Sequence, residues 1–332
     1  MTITITLTAN PFTGAGVNYN AEYLSYFADF TPYELPLFLG PSSSNTTQIV
    51  HLDTPVTGQE AQTKALLVEG SGFLYTFSDH VVSGTINTIR LTTLGSALNP
   101  STGDLVLNGG VVTTATESIV ISGLNLSNAP HVRGDVHNLI AGFMGGGPGG
   151  TTADPSLLTT VIWSQGHNLR GSTGADTYWG SDYSDIVRGF GGNDSLHGGL
   201  GNDRVVGGGG RDVVSGGAGK DILEGGNGAD DFLYFYASDS TAAVAGRDRI
   251  MDFVSGVDDI DLRYIDADNR DVDNDAFIWR DKLAFDGTAG ALHWRATSGG
   301  VLLEADLNGD RVADFAIYLD GISSLARGDI ML

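Results

Sequence analysis

Seven aspartates recur at every ninth position: Asp176, Asp185, Asp194, Asp203, Asp212, Asp221 and Asp230. The stretch from Gly171 to Leu233 divides into the nonapeptides GSTGADTYW, GSDYSDIVR, GFGGNDSLH, GGLGNDRVV, GGGGRDVVS, GGAGKDILE and GGNGADDFL. Each keeps Asp at position six and an apolar residue at position eight; the last four fit G-G-x-G-x-D-x-U-x throughout, and the first three deviate at glycine positions. Glycine enters positive-φ conformations without steric cost, so the turn can aim backbone carbonyls at one point. The carboxylate adds a charged oxygen, and calcium is a hard cation that takes six to eight such donors. A flexible glycine-rich linker has no reason to keep an acid in phase.

The x-U-x triplet is a short strand with its central side chain turned inward. Successive units fall on opposite sides of a coil. One side stacks Tyr178, Leu196, Val214 and Phe232, and the other stacks Val187, Val205 and Leu223. So thin a core cannot offset the entropy of ordering this many glycines, so metal must contribute to folding. Removing calcium is therefore expected to unfold residues 171–233. The pattern resembles the calcium-binding RTX nonapeptide repeat, which builds a parallel β-roll. In RTX proteins each ion lies between the turns of neighbouring units on one side, which implies all seven aspartates as metal ligands. IWSQGHNLR, 162–170, is in phase but lacks the Asp and reads as a capping turn.

The elements before this array form a different pattern. MTITITLTA alternates as a strand, and NAEYLSYFADF places Tyr23, Leu24, Phe27 and Phe30 at helical spacing with Asn20 as N-cap. TTQIVHL, KALLVEG, GFLYTFS, TINTIRL, DLVLNGG and SIVISGL, separated by Gly and Asn turns, read as a meandering antiparallel sheet. Residues 135–144 predict a second helix stopped by GGGPGG, and 155–165 a third.

Three of these stretches, VNYNAEYL, LLVEGSGFLYTFSDHVVSG and SGLNLS with DVHNLIAGFMGG, resemble the HasA-type haemophores over about residues 15–150. The resemblance implies a curved antiparallel sheet backed by helices, haem held between two loops, and delivery to an outer-membrane haem receptor. It implies Tyr75 as iron ligand and His80 as hydrogen-bond partner of the phenol. A free phenol has a pKa near 10, so an imidazole acceptor and ferric iron together favour the tyrosinate. The Tyr75–His80 spacing is shorter than the family's, which predicts an altered hydrogen bond. No histidine precedes His51, so in the first loop, where many members place a second axial ligand, either Tyr33 substitutes or the iron stays five-coordinate. His137 fits a family histidine without a ligand role, and His51, His131 and His167 read as ordinary surface or loop residues.

After the array, DFLYFYASDS, GRDRIMDFVSGVDDIDLRYIDA and LEADLNGDRVADFAIYLDG resemble the C-terminal module of serralysin-type secreted proteases. That implies a β-sandwich continuous with the roll and an uncleaved signal for the type I secretion apparatus, which Asp329, Ile330, Met331 and Leu332 fit. Asp306, Asn308, Asp310 and Asp314 form a D-x-N-x-D loop without the glutamate of an EF-hand, since Ile317 stands there. It reads as a solvated acidic turn, as does the run from Asp266 to Asp275.

The expected architecture is thus an α+β domain at 1–161, a β-roll with its cap at 162–233, and an all-β sandwich tail at 234–332. Net charge is −23, with eleven acidic and four basic residues in 1–170 against 29 and 13 in 171–332. Such a chain repels nucleic acid and anionic membrane. The chain has no cysteine, and the amino terminus shows no signal-peptide pattern. H-E-x-x-H and G-x-S-x-G are both missing, so an enzyme is not expected. The functional expectation is a secreted calcium-folded haem-binding protein. The alternative is a structural or adhesive surface protein that self-associates and reuses the haemophore fold without haem.

Overall fold

The computed structural model describes residues 2–11, 13–145, 151–270 and 274–332. It is mostly β and divides into two units: residues 1–8 with 19–165, and residues 9–18 with 166–332. Most of the glycine-rich loop at 145–150 and residues 271–273 of the acidic run lie outside the described residues.

In the first unit, β1 (Ile3–Leu7), β2 (Leu37–Leu39), β3 (Gln48–Leu52), β4 (Lys64–Thr76), β5 (Val81–Thr93) and β6 (Thr116–Asn128) form an antiparallel sheet. Its spatial order is β1-β6-β5-β4-β3-β2. KALLVEG and GFLYTFS, expected as separate segments, are one long strand, β4, which passes Gly70–Gly72 through register shifts against β5. DLVLNGG is no strand. Its loop makes only isolated bridges, and Val112 joins Val50, Ala65, Leu67, Leu94 and Ala97 in a small core against the sheet.

Three helices pack in this unit: α1 (Tyr19–Ala28), α2 (Asp135–Phe143) and α3 (Ser156–Trp163). α2 lies on β5 and β6. Tyr19, Tyr23, Tyr26 and Phe27 of α1 are buried, whereas Leu24 is 66% exposed. The inward face is therefore aromatic: Tyr23, Phe27 and Phe30 are buried as the spacing predicts, Tyr19 and Tyr26 join them, and Leu24 is turned out. Asn20 lies inside the helix rather than capping it. Phe143 stacks on Phe27 at 5.7 Å and receives the edge of His51 at 5.9 Å. His51 is thus a core residue, not a surface one. Burial pushes its pKa down to about 3, so it stays neutral. Phe143→Ala should cost this unit about 3–5 kcal/mol, read by urea unfolding.

The second unit is a parallel coil. One sheet stacks β7 (His167–Arg170), β9 (Ile186–Gly191), β11 (Arg204–Gly209) and β13 (Ile222–Asn227). The other stacks β8 (Thr177–Trp179), β10 (Ser195–Gly201), β12 (Val213–Gly219) and β14 (Asp231–Leu233). Registers run eighteen residues apart, as Leu196 opposite Tyr178 and Val214 shows. The two inward stacks are those read from the repeat, and all seven side chains are at most 2% exposed. Leu169 pairs with Val187, extending one stack by the capping turn.

Both sheets continue past residue 233. β15 (Asp248–Ile250) and β16 (Asp259–Asp261) add a rung to each. β17 (Ile278–Trp279), β18 (Ala291–Ala296), β19 (Gly300–Asp306) and β20 (Phe315–Asp320) follow, with β18–β20 antiparallel and β20 parallel to β15. β21 (Ile330–Met331) pairs with β16. Strands without the nonapeptide thus keep the hydrogen-bonding edges of the coil occupied beyond residue 233. No helix among the described residues is long and apolar enough to cross a membrane.

Candidate functional site

The repeat aspartates form a ladder. The backbone N–H of each donates to Oδ1 of the acid one rung on: Asp176 to Asp194, Asp185 to Asp203, Asp194 to Asp212 and Asp203 to Asp221, at 2.7–2.8 Å. Asp212 donates to Asp230, Asp221 to Asp248 and Asp230 to Asp258. Asp248 and Asp258 sit outside the nonapeptides, so their place in the ladder was invisible to the period. A signal was present only in the order of strands after the array.

The second oxygen behaves differently. Oδ2 of Asp194, Asp203, Asp212, Asp221, Asp230 and Asp248 is buried without a partner. A buried polar atom left unpaired costs about 1–3 kcal/mol, more when charged. A Cβ on Gly198 would stand 2.5 Å from both Asp203 Oδ2 and the Gly216 carbonyl oxygen. The same pairing of a carboxylate oxygen with a carbonyl surrounds Gly189 and Gly207. A carboxylate oxygen and a carbonyl oxygen thus lie beside each of these glycines, and oxygen donors of this kind suit calcium. Among the described residues no three His, Cys, Asp or Glu side chains gather as a metal cluster. The donors here are instead single carboxylates with backbone carbonyls.

Without a cation, desolvation raises the pKa to about 7 for Asp194, 8 for Asp203, 6 for Asp212 and 7 for Asp221, and neighbouring aspartates add to the rise. A raised folded pKa means the folded state binds more protons than the unfolded state. The resulting stability is complete below about pH 4 and is lost as pH rises through 6–8. Without calcium the coil is therefore expected to be less folded at pH 8 than at pH 5.5. A cation replaces those protons, so calcium should bind more tightly at pH 8. Paired melting curves and calcium titrations at the two pH values check both directions.

Tyr75 lies near the end of β4 and His80 is the last residue of the turn before β5. Tyr75 Oη is 2.5 Å from His80 Nδ1, so the shorter spacing does not prevent the contact. His80 reaches it from a left-handed backbone, φ 56°. The turn is fastened by Asp79, which accepts from Thr76 Oγ1 and from His131 Nδ1 at 2.7 Å, while Arg133 donates to its carbonyl. His131 is therefore a turn-holding residue. Tyr75 and His80 line a cavity of about 320 Å³ with Val82, Arg133, His137, Ile140 and Met144. His137 Nδ1 accepts from the Val82 N–H, and burial lowers its pKa, with a smaller effect from the Arg133 charge. Phe77 and Phe38 flank Tyr75 at 5.0 and 6.3 Å, and Phe77 is 83% exposed. A half-buried phenol beside an imidazole and open apolar surface fits a flat, apolar metal complex. Tyr33 does not line this cavity.

Other expected positions are closed. His167 is fully buried and its Nδ1 lies 2.6 Å from Tyr178 Oη, so it is a core residue of the coil. Asp306 is buried, not solvated, and accepts from the N–H groups of Gly309 and Arg311; Asp314 accepts from Leu307. Backbone donors thus consume the oxygens that a calcium loop would need. Asp329 accepts from Ser255, Gly256 and Ala326, which anchors β21.

Among solved structures, the R2 subunit of the AlgE6 mannuronan C5-epimerase from Azotobacter vinelandii is 26% identical. It covers 48% of this chain and 92% of its own, at TM-score 0.36. The apo haemophore HasA from Yersinia pestis is 19% identical over 48% of this chain and 86% of its own, at TM-score 0.33. Its holo form is 18% identical over 48% and 88%, at the same TM-score. No curated protein sequence is similar enough to this chain to count as a match. Residues 177–332 match the sequence family described as the peptidase M10 serralysin C terminal.

Proposed function

We propose that this chain is an exported, calcium-folded protein that binds extracellular haem through Tyr75, for delivery to an outer-membrane receptor. The secretion module supports export through the type I apparatus. The unpaired carboxylate oxygens support calcium as the ion that completes the roll.

The observation that carries the haem reading is the 2.5 Å contact of Tyr75 Oη with His80 Nδ1 at an apolar cavity. When bound, haem would supply a ferric centre that takes the phenol oxygen as its ligand. His80 Nδ1 accepts a hydrogen bond from the phenol and holds the ring in place. Asp79, His131 and Arg133 fix the turn that presents the pair. A haemin titration followed by absorbance tests the reading, with Tyr75→Ala as the comparison.

A further inference from the structure

The seven repeat aspartates are not equivalent. In the five rungs from Asp194 to Asp230, the residue at position two has a left-handed backbone: Phe190, Gly199, Gly208, Gly217 and Gly226, at φ 73–120°. In the first two rungs that position is Ser172 or Ser181, and neither has a positive φ. The turn is therefore different, and its N–H faces inward. Ser172 N–H donates to Asp176 Oδ2 at 2.5 Å and its Oγ to Oδ1 at 3.0 Å. Ser181 does the same to Asp185, at 2.7 and 2.9 Å.

Each of these carboxylates also receives a backbone donor from a rung that lacks an acid. His167 N–H donates to Asp185 Oδ1 at 2.6 Å, from the capping turn. Val17 N–H donates to Asp176 Oδ1, also at 2.6 Å, from the strap at 9–18. That strap runs parallel to the first repeat strand, with Asn18 bridged to Thr177 and the Val17 carbonyl accepting from Thr177 N–H. Gly16 makes the approach possible, since any side chain there would collide with the Ala175 backbone. Neither Asp176 nor Asp185 retains an unpaired buried oxygen, unlike the five acids after them.

We infer that the first two rungs, with the strap at residues 13–18 and the cap at 166–170, form a calcium-independent seed on which the remaining rungs assemble as calcium binds. Two serines and two backbone caps supply to Asp176 and Asp185 the neutralising donors that a cation supplies further on. This inference rests on the calcium reading above and narrows it: Asp176 and Asp185 hold the turn rather than the ion. It also amends the expectation that all of residues 171–233 unfold together.

Hydrogen exchange of the full-length chain, with and without chelator, tests it. Amides of 167–188 should keep their protection without calcium, while those of 192–233 lose it. Loss of protection across 167–188 in step with the rest would overturn the seed. No change anywhere on chelation would instead sink the calcium reading itself. Ion counting after gel filtration gives a second measure. Asp212→Asn should lower the number of bound calcium ions, and Asp185→Asn should leave it unchanged. An equal loss in both variants would place Asp185 among the ligands. Val17→Pro, which removes the capping N–H, should raise exchange at Thr177 without chelator, and Val17→Ala should not. Equal exchange in the two would remove the strap from the seed.

Discussion

Chelating calcium from the full-length protein is expected to abolish the ordered coil from Asp194 to Leu233 while the first unit keeps its fold. Five repeat acids there hold an unpaired buried oxygen. At about 1–3 kcal/mol each, their combined cost is about 5–15 kcal/mol, which equals the net stability of a typical domain. The inward stacks of Val205, Val214, Leu223 and their neighbours are one side chain wide, so no surplus of burial offsets that cost. An ion at a hundredfold its Kd returns about 2.7 kcal/mol per site. Several sites acting together make loading cooperative. Far-UV circular dichroism during a calcium titration should therefore show one steep transition, reversed by chelator. Limited proteolysis should cut first within 192–233. A coil whose spectrum and protease resistance ignore chelator would mean that protons, not cations, occupy the carboxylates.

The second large effect is on haem. Haemin added to the calcium-loaded protein is expected to give saturable one-to-one binding with a ferric tyrosinate spectrum. Tyr75→Ala should lose the band, since no other phenol lines the cavity among the described residues. His80→Ala should weaken binding by about 10–100-fold, the usual cost of removing the partner of a metal ligand. Because Asp79 only holds the turn, Asp79→Ala should lower affinity less and leave the spectrum of the bound form unchanged. Absence of a band in the wild type would leave the exposed Phe77 and Leu74 beside Tyr75 as an apolar surface without haem. The adhesive surface-protein reading would then take precedence, and filament formation or cell attachment would be measured next.

How far the residues spoke for themselves differed between the two units. The coil was legible because a nine-residue period forces every acid and every inward side chain into register, whatever surrounds it. Tyr178, Val187 and the five apolar residues after them needed nothing but that period to be placed. The first unit was legible only in its alternation. In helix α1 the spacing placed Tyr23, Phe27 and Phe30 and missed only at Leu24, which is exposed while the Tyr26 ring packs against Phe27 and Phe30. His51 looked like a surface residue because nothing local shows that α2 brings Phe143 over it.

By itself, the sequence determined that an acid stands at each rung and that glycines permit the turn around it. It singled out Tyr75 and His80, at a spacing that predicted an altered hydrogen bond between them. Only the tertiary structure decided which acids are left with an open oxygen. That choice depends on whether position two swings left-handed, as Gly199 does, or turns its N–H inward, as Ser181 does. It depends also on partners from far along the chain: Val17 donates its N–H to Asp176 at one end of the ladder, and Asp248 and Asp258 accept from Asp221 and Asp230 at the other. A repeat records what each rung carries, whereas the hydrogen bonds that close a carboxylate come from its neighbours in space.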